Sequence, residues 1–114
     1  MSPDSADHLP LSPATLHILL ALAAGELHGY AIMLEIARQS GGHYKIGPGT
    51  LYDALKKLLN DGLVDEIDAP EEGRARRKYR LTDLGNSVLA AEVSRLDSVL
   101  RQARRALRLN ERRS

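Results

Sequence analysis

The stretch Gly47-Pro-Gly-Thr-Leu-Tyr-Asp-Ala-Leu-Lys-Lys-Leu-Leu-Asn-Asp-Gly62 decides how the rest of the chain is read. Leu51, Leu55, Leu58 and Leu59 recur at i, i+4, i+7 and i+8, the stripe of a helix with one apolar face. Pro48 suits the first helical turn, where its missing N–H costs least, and Gly62 suits the left-handed residue that ends a helix. The opposite face carries Thr50, Tyr52, Asp53, Lys56 and Lys57. A short helix with a hydroxyl, a phenol and two lysines outward is suited to lie against a polyanion.

Composition narrows what surrounds that helix. A chain of 114 residues makes one compact domain with room for one extended element. With 4% aromatics, no Phe and no Trp, the core must be aliphatic. The absence of Cys removes disulfides, thiolate chemistry and Cys-ligated zinc, and suits a reducing cytoplasm. No apolar run approaches the ~20 residues of a membrane span, and the N-terminus has no signal-peptide pattern. The net charge of +1 hides a segregation: residues 1–44 hold Arg38 against four acids, and residues 84–114 hold seven arginines against three acids. Between them, residues 74–80 carry five basic side chains and no acid.

Residues 1–10 are polar and aperiodic and read as a flexible arm. Ser12-Pro13 is a helix start, a hydroxyl cap followed by proline. Leu16, Ile18, Leu19, Leu20 and Leu22 make that helix largely buried, with Gly25 as its stop. A second helix is predicted from about His28 to Gln39, with Tyr30, Met33, Ile36 and Ala37 inward and Gly41-Gly42 as its end. Gly29 permits close approach of another group to its first turn. After Gly62 the periodicity changes to two short strands, residues 63–68 and 76–81, joined by a turn at residues 70–73. Leu63 and Ile67 are expected on one face, Tyr79 and Leu81 on another. Thr82 is a cap for a last helix in which Leu89, Val93, Leu96, Leu100, Ala103 and Leu107 are spaced 4, 3, 4, 3, 4. A helix of the ~27 residues from 83 to 109 spans roughly 40 Å, longer than one small domain needs, and its seam asks for a second copy of the chain.

Three helices, a hairpin and a long helix make a mainly α fold with a small β-hairpin (α+β): a winged helix-turn-helix plus a C-terminal dimerisation helix. The expected units are an arm at 1–10, the winged domain at 11–82, the dimerisation helix at 83–109 and a frayed tail at 110–114. In this arrangement the Gly47–Gly62 helix is the recognition helix of a double-stranded DNA binder. Thr50 and Tyr52 in its first turn and Lys56 one turn on are the candidates for base or phosphate contact, with Lys45 on the flanking phosphate and Tyr52 alternatively part of the core, covering the leucine stripe. Arg74, Arg76 and Arg77 form the wing that meets the backbone or minor groove.

Four segments then carry a family resemblance. His28-Gly-Tyr-Ala-Ile, Gly49-Thr-Leu-Tyr-Asp-Ala-Leu-Lys-Lys-Leu, Asp61-Gly-Leu-Val and Arg77-Lys-Tyr-Arg-Leu-Thr-Asp-Leu-Gly85 resemble, in order and spacing, the PadR family of transcriptional regulators. The resemblance covers about residues 11–100 and points to its compact subgroup with a single C-terminal helix. It implies a homodimeric repressor, often autoregulatory, and an effector that is a small aromatic or amphipathic molecule. Many members carry proline where this chain has Asp53, a carboxylate that would repel phosphate but can accept from cytosine N4. Tyr30, Tyr44 and Tyr79 are the aromatic side chains open to an effector, and none is assigned to one.

Rival readings are weaker. The histidines at 8, 17, 28 and 43 have no metal-ligand spacing, and His17 reads as a partly exposed helix residue. Gly47-Pro-Gly lacks the Gly-Lys-Ser/Thr of a phosphate loop, so neither an enzyme nor a metal or cofactor site is expected. A winged helix that binds protein instead of DNA is the alternative the fold itself permits. The basic residues shared by helix and wing weigh against it.

Overall fold

A computed structural model describes residues 7–69 and 76–113, so the 70–73 turn and Arg74 lie outside the described residues. The elements are α1 (Pro13–Leu22), β1 (Leu27–His28), α2 (Gly29–Gln39), α3 (Pro48–Asn60), β2 (Val64–Ala69), β3 (Arg76–Leu81) and α4 (Asp83–Arg113). This is the winged helix-turn-helix with a long last helix that the sequence predicts. One strand was not expected.

The helix ends follow from local chemistry. The Ser12 hydroxyl accepts from the Thr15 N–H at 3.2 Å, and Pro13 occupies the first helical position. At the end of α3, Gly62 takes φ +75 and donates to the Leu59 carbonyl, while the Leu63 N–H donates to Leu58. That pair of bonds is a Schellman cap, and it turns the chain directly into β2. Gly41 and Gly42 end α2 in the same way, with bonds to Arg38 and Ala37. The buried line of α2 is Gly29, Ile32 and Ile36, and Tyr30 is 67% exposed. Of the expected line, Ile36 is buried and Met33 packs half-buried against the core, while Tyr30 faces out and Ile32 takes its place.

The sheet has three antiparallel strands in the order β1-β3-β2. Leu27 pairs with Tyr79 and His28 with Lys78, so His28, expected to open α2, instead joins Leu27 in an edge strand on the hairpin. Val64 pairs with Leu81 and Glu66 with Tyr79. This register puts Val64, Tyr79 and Leu81 on one face, towards the core. Ile67 is on the other face and half-buried, so the residue that carries the strand's core contact is Val64. Leu63 is buried, but in the turn that precedes the strand.

Where the hairpin meets α4, Thr82 is the hinge pin. Its hydroxyl donates to the Gly62 carbonyl at 2.6 Å and accepts from the Gly85 N–H at 3.0 Å, while its N–H donates to Leu63 at 3.1 Å. A side chain on Gly85 would collide with the Leu63 carbonyl oxygen and lie 3.0 Å from its carbon. The base of α4 therefore sits directly on the backbone of the α3–β2 corner.

The 31 residues of α4 make a rod about 46 Å long. Val88, Leu89, Ala91 and Glu92 on its first half are buried. Glu92 is 1% exposed, and its carboxylate accepts from the Leu11 N–H at 2.8 Å and from two nitrogens of Arg95. The Arg95 guanidinium holds the carboxyl below the usual glutamate value, and the Leu11 N–H adds to this against the opposing pull of burial. Residues 96–108 are all exposed. Among the described residues no helix is long and apolar enough to cross a membrane.

Candidate nucleic-acid interface

Helix α3 divides sharply. Leu51, Leu55 and Leu58 are buried, while Thr50, Tyr52, Asp53, Lys56 and Lys57 are exposed. At 100° per residue, the line farthest from the leucines runs through Gly49, Asp53, Lys56 and Asn60. Thr50 and Tyr52 flank it on opposite sides. Gly49 and Asn60 were not singled out from the sequence, because neither type announces a contact; helix rotation alone would have found them. Lys57 turns to the Thr50 side. There it lines an open cleft of ≈ 340 Å³ together with Asp61, Thr15 and the segment before α1. Gly47 caps α3 without a side-chain bond, which leaves first-turn N–H groups open towards any bound anion.

The loop ahead of α3 is held by two contacts. The Ser40 hydroxyl accepts from the Tyr44 N–H and donates to the Tyr44 carbonyl, both at 3.0 Å. The Tyr44 ring stacks on His17 of α1, with centroids 4.3 Å apart and planes 14° from parallel. His17 is thus a packing residue of the loop. Lys45, next to this anchored tyrosine, is exposed immediately before α3.

On the wing, the backbone of Arg76 opens β3 opposite Ala69, and Arg77 pairs in register with Asp68. Arg77 is exposed and lies 3.4 Å from the Glu66 carboxylate across the hairpin. An exposed pair of this kind contributes under about 1 kcal/mol, so a phosphate can displace the carboxylate at little cost. Arg80 is engaged elsewhere, 3.7 Å from Asp65 and 3.9 Å from Glu26. Tyr79 is 5% exposed, and burial first, then Glu66 and the Tyr52 phenol, push its own phenol above the usual value.

The residues of the predicted seam fall into two groups. Leu89 packs in its own chain's core. Val93, Leu96, Leu100 and Leu107 are 36–60% exposed, Ala103 is exposed, and Val99 beside them is 52% exposed. These side chains form an apolar strip on the part of α4 that projects from the domain.

The Transcriptional regulator PadR-like family model matches residues 18–91, from α1 through the buried half of α4. Transcriptional regulator Rv3488 of Mycobacterium tuberculosis is 38% identical over 87 residues, covering 76% of this chain and 78% of that protein. Among solved structures, a transcriptional regulator from Clostridium thermocellum superposes with a TM-score of 0.70 at 25% identity, over 80% of this chain and 89% of that one. Bacillus subtilis PadR, solved in complex with operator DNA, superposes with a TM-score of 0.67 at 27% identity, over 74% of this chain and 48% of that one. The match runs through the helix-turn-helix, the wing and the base of α4, and the chain belongs to the PadR-like family of transcriptional regulators.

Proposed function

We propose that this chain is a sequence-specific DNA-binding regulator, a cytoplasmic homodimeric repressor that binds a pseudo-palindromic operator. The observation that carries the reading is the polar outer face of α3. Thr50, Asp53 and Lys56 stand exposed there, with no ion pair to hold Asp53 or Lys56 among the described residues, and Arg77 is exposed on the hairpin that follows α3 in the chain. Bacillus subtilis PadR, which superposes on this fold, is a protein solved with operator DNA, and that supports DNA as the partner of this chain. Thr50 and Lys56 would contact bases or phosphates, Lys45 a flanking phosphate, and Arg74, Arg76 and Arg77 the backbone beside the wing. Asp53, on the outermost line of α3, would accept from a cytosine amine, which makes it a discriminating residue rather than an affinity residue.

Two copies follow from α4. Its projecting strip is apolar and would be covered by the same strip of a second chain, and operator binding by such a dimer requires its two α3 helices to lie about one DNA turn apart. A small aromatic or amphipathic effector would have to find an open aromatic face. Tyr44 is stacked and Tyr79 buried, which leaves Tyr30 as the one of the three candidate tyrosines with an exposed ring. The test is a gel shift on the duplex upstream of the chain's own coding sequence, run at two salt concentrations against a scrambled duplex. Salt-sensitive binding that favours the upstream duplex is expected. Absence of binding to either duplex would replace this reading with that of a winged helix that docks on protein.

A further inference from the structure

Gly29 is buried at the first position of α2, and its φ is not among the positive values that demand glycine. Backbone geometry therefore does not explain it, and alanine would be the better helix former at this place. Sterics do explain it. A Cβ on Gly29 would overlap the Tyr52 hydroxyl oxygen and lie 2.9 Å from Cζ and 3.2 Å from Cε1. The phenol end of Tyr52 occupies the space that a side chain on Gly29 would fill.

The corner on which the ring sits leads to a third element. Gly29 follows directly on β1, whose two residues pair with Tyr79 and Lys78 of β3. Tyr52 thus stands where α3 meets the N-terminus of α2, at the residue that directly follows the strand paired with the wing. It remains 48% exposed, so only one side of the ring is engaged. The engaged part includes the hydroxyl, the atom that a phosphate contact would need.

We propose that Tyr52 is a positioning residue: seated on Gly29, it fixes the first turn of α3 against the β1–α2 corner and the wing. The DNA-facing part of the inference rests on the function proposed above. With the ring in place, Thr50, Asp53 and Lys56 meet the duplex at one set angle to the wing arginines. A tyrosine has only two side-chain torsions, so little entropy is lost in using it as a spacer. Because α3 and the wing are joined through it, losing the ring should relax their relative orientation without removing a charge.

Four full-length variants decide the matter: Tyr52→Ala, Tyr52→Phe, Gly29→Ala and the Gly29→Ala/Tyr52→Ala double. Hydrogen–deuterium exchange of residues 48–53 and 76–81, without DNA, is the first readout. Tyr52→Ala and Gly29→Ala should each raise exchange severalfold in both segments, the double should be no worse than the worse single, and Tyr52→Phe should stay near wild type. Additive effects, or a Gly29→Ala protein that exchanges like wild type, would overturn the proposal. The second readout is affinity for the upstream duplex. The two alanine singles should lose about tenfold or more with an unchanged salt slope, and Tyr52→Phe less than about twofold. A Tyr52→Phe loss as large as that of Tyr52→Ala, with the slope reduced by ~1, would instead make the hydroxyl a phosphate contact and overturn the proposal. If wild type fails to bind the duplex, the DNA reading falls, and the exchange cycle still decides whether Tyr52 positions α3.

Discussion

Replacing Leu96 and Leu100 together by Asp should separate assembly from folding, because both lie beyond the point where α4 leaves its own domain. They are 36% and 46% exposed, whereas Leu89, two turns earlier, is 7% exposed and belongs to the core. Covering an aliphatic side chain completely gives ~1.5–3 kcal/mol, so the exposed half of each strip residue offers about 1 kcal/mol to a partner. Two leucines lost from each of two protomers remove about 4 kcal/mol, which corresponds to roughly a thousandfold rise in the dimer dissociation constant. Carboxylates forced into an apolar seam add to that loss. Light scattering or sedimentation across a concentration series should therefore find monomers where wild type is dimeric, and operator binding should collapse with the dimer. Far-ultraviolet circular dichroism should keep the domain's cooperative melt and lose only signal from the outer turns of α4, which are marginal as an isolated helix. Leu89→Asp should unfold the domain instead. A Leu96→Asp/Leu100→Asp protein that stays dimeric with wild-type affinity would refute the strip as the interface.

Four further outcomes follow from single features. Changing Arg74, Arg76 and Arg77 to Ala should weaken binding to every duplex and flatten the salt slope by up to ~3 contacts per subunit, and an unchanged slope would remove the wing from the interface. Gly85→Ala must push the base of α4 off the Leu63 carbonyl, so chemical denaturation should show a loss of ~1–3 kcal/mol. Gly49→Ala meets nothing within 4 Å and should stabilise the free protein by ~0.4–1 kcal/mol. If the outer line of α3 approaches the duplex closely, the same variant should bind DNA more weakly, and calorimetry paired with anisotropy would show the split. Glu92 has its folded value lowered chiefly by Arg95. Its stabilisation is thus complete above the unfolded glutamate value near ~4.3 and fades as pH falls through the lower folded value. Glu92→Gln should be less stable at neutral pH and should lack that part of the acid loss, as denaturation midpoints across a pH series would show.

The parts of this molecule that were legible in its sequence are those set by neighbours along the chain. Ser12-Pro13, Gly62 and Thr82 each act through bonds to residues two to five positions away, or to the adjoining corner, and their types declare the role. The α3 stripe was legible because four leucines repeat without ambiguity. Tyr30 was misplaced because its spacing to Met33 and Ile36 fits a stripe as well as that of Ile32 to Ile36 does; only the packing of α2 on α1 and α3 decides to which side of Ile36 the buried face extends. β1 was invisible because two residues have no periodicity, and their pairing depends on a hairpin fifty residues later. Glu92 gave no signal either. A glutamate in a basic helix reads as solvated until Leu11, far away in the chain, is found donating to it.

That carboxylate bears on function through leverage. The strip that would join two protomers begins at Val93, directly after Glu92, and the domain carrying α3 hangs from the buried base of α4. From Val93 to Leu107 the axis runs about 21 Å, so a tilt of ~10° at the base moves the far end by about 4 Å, roughly one base-pair step. In the proposed dimer the distance between recognition helices is thus set by how rigidly α4 is seated. Gly85 against Leu63, Thr82 between Gly62 and Gly85, and Glu92 between Leu11 and Arg95 are the contacts that seat it. None of them faces DNA. Loosening Glu92 alone should accordingly leave half-site contacts intact and broaden the tolerated spacing between half-sites. Binding to operators whose centre is lengthened or shortened by one base pair would reveal that broadening, and an unchanged spacing preference in Glu92→Gln would show that the lever is fixed elsewhere.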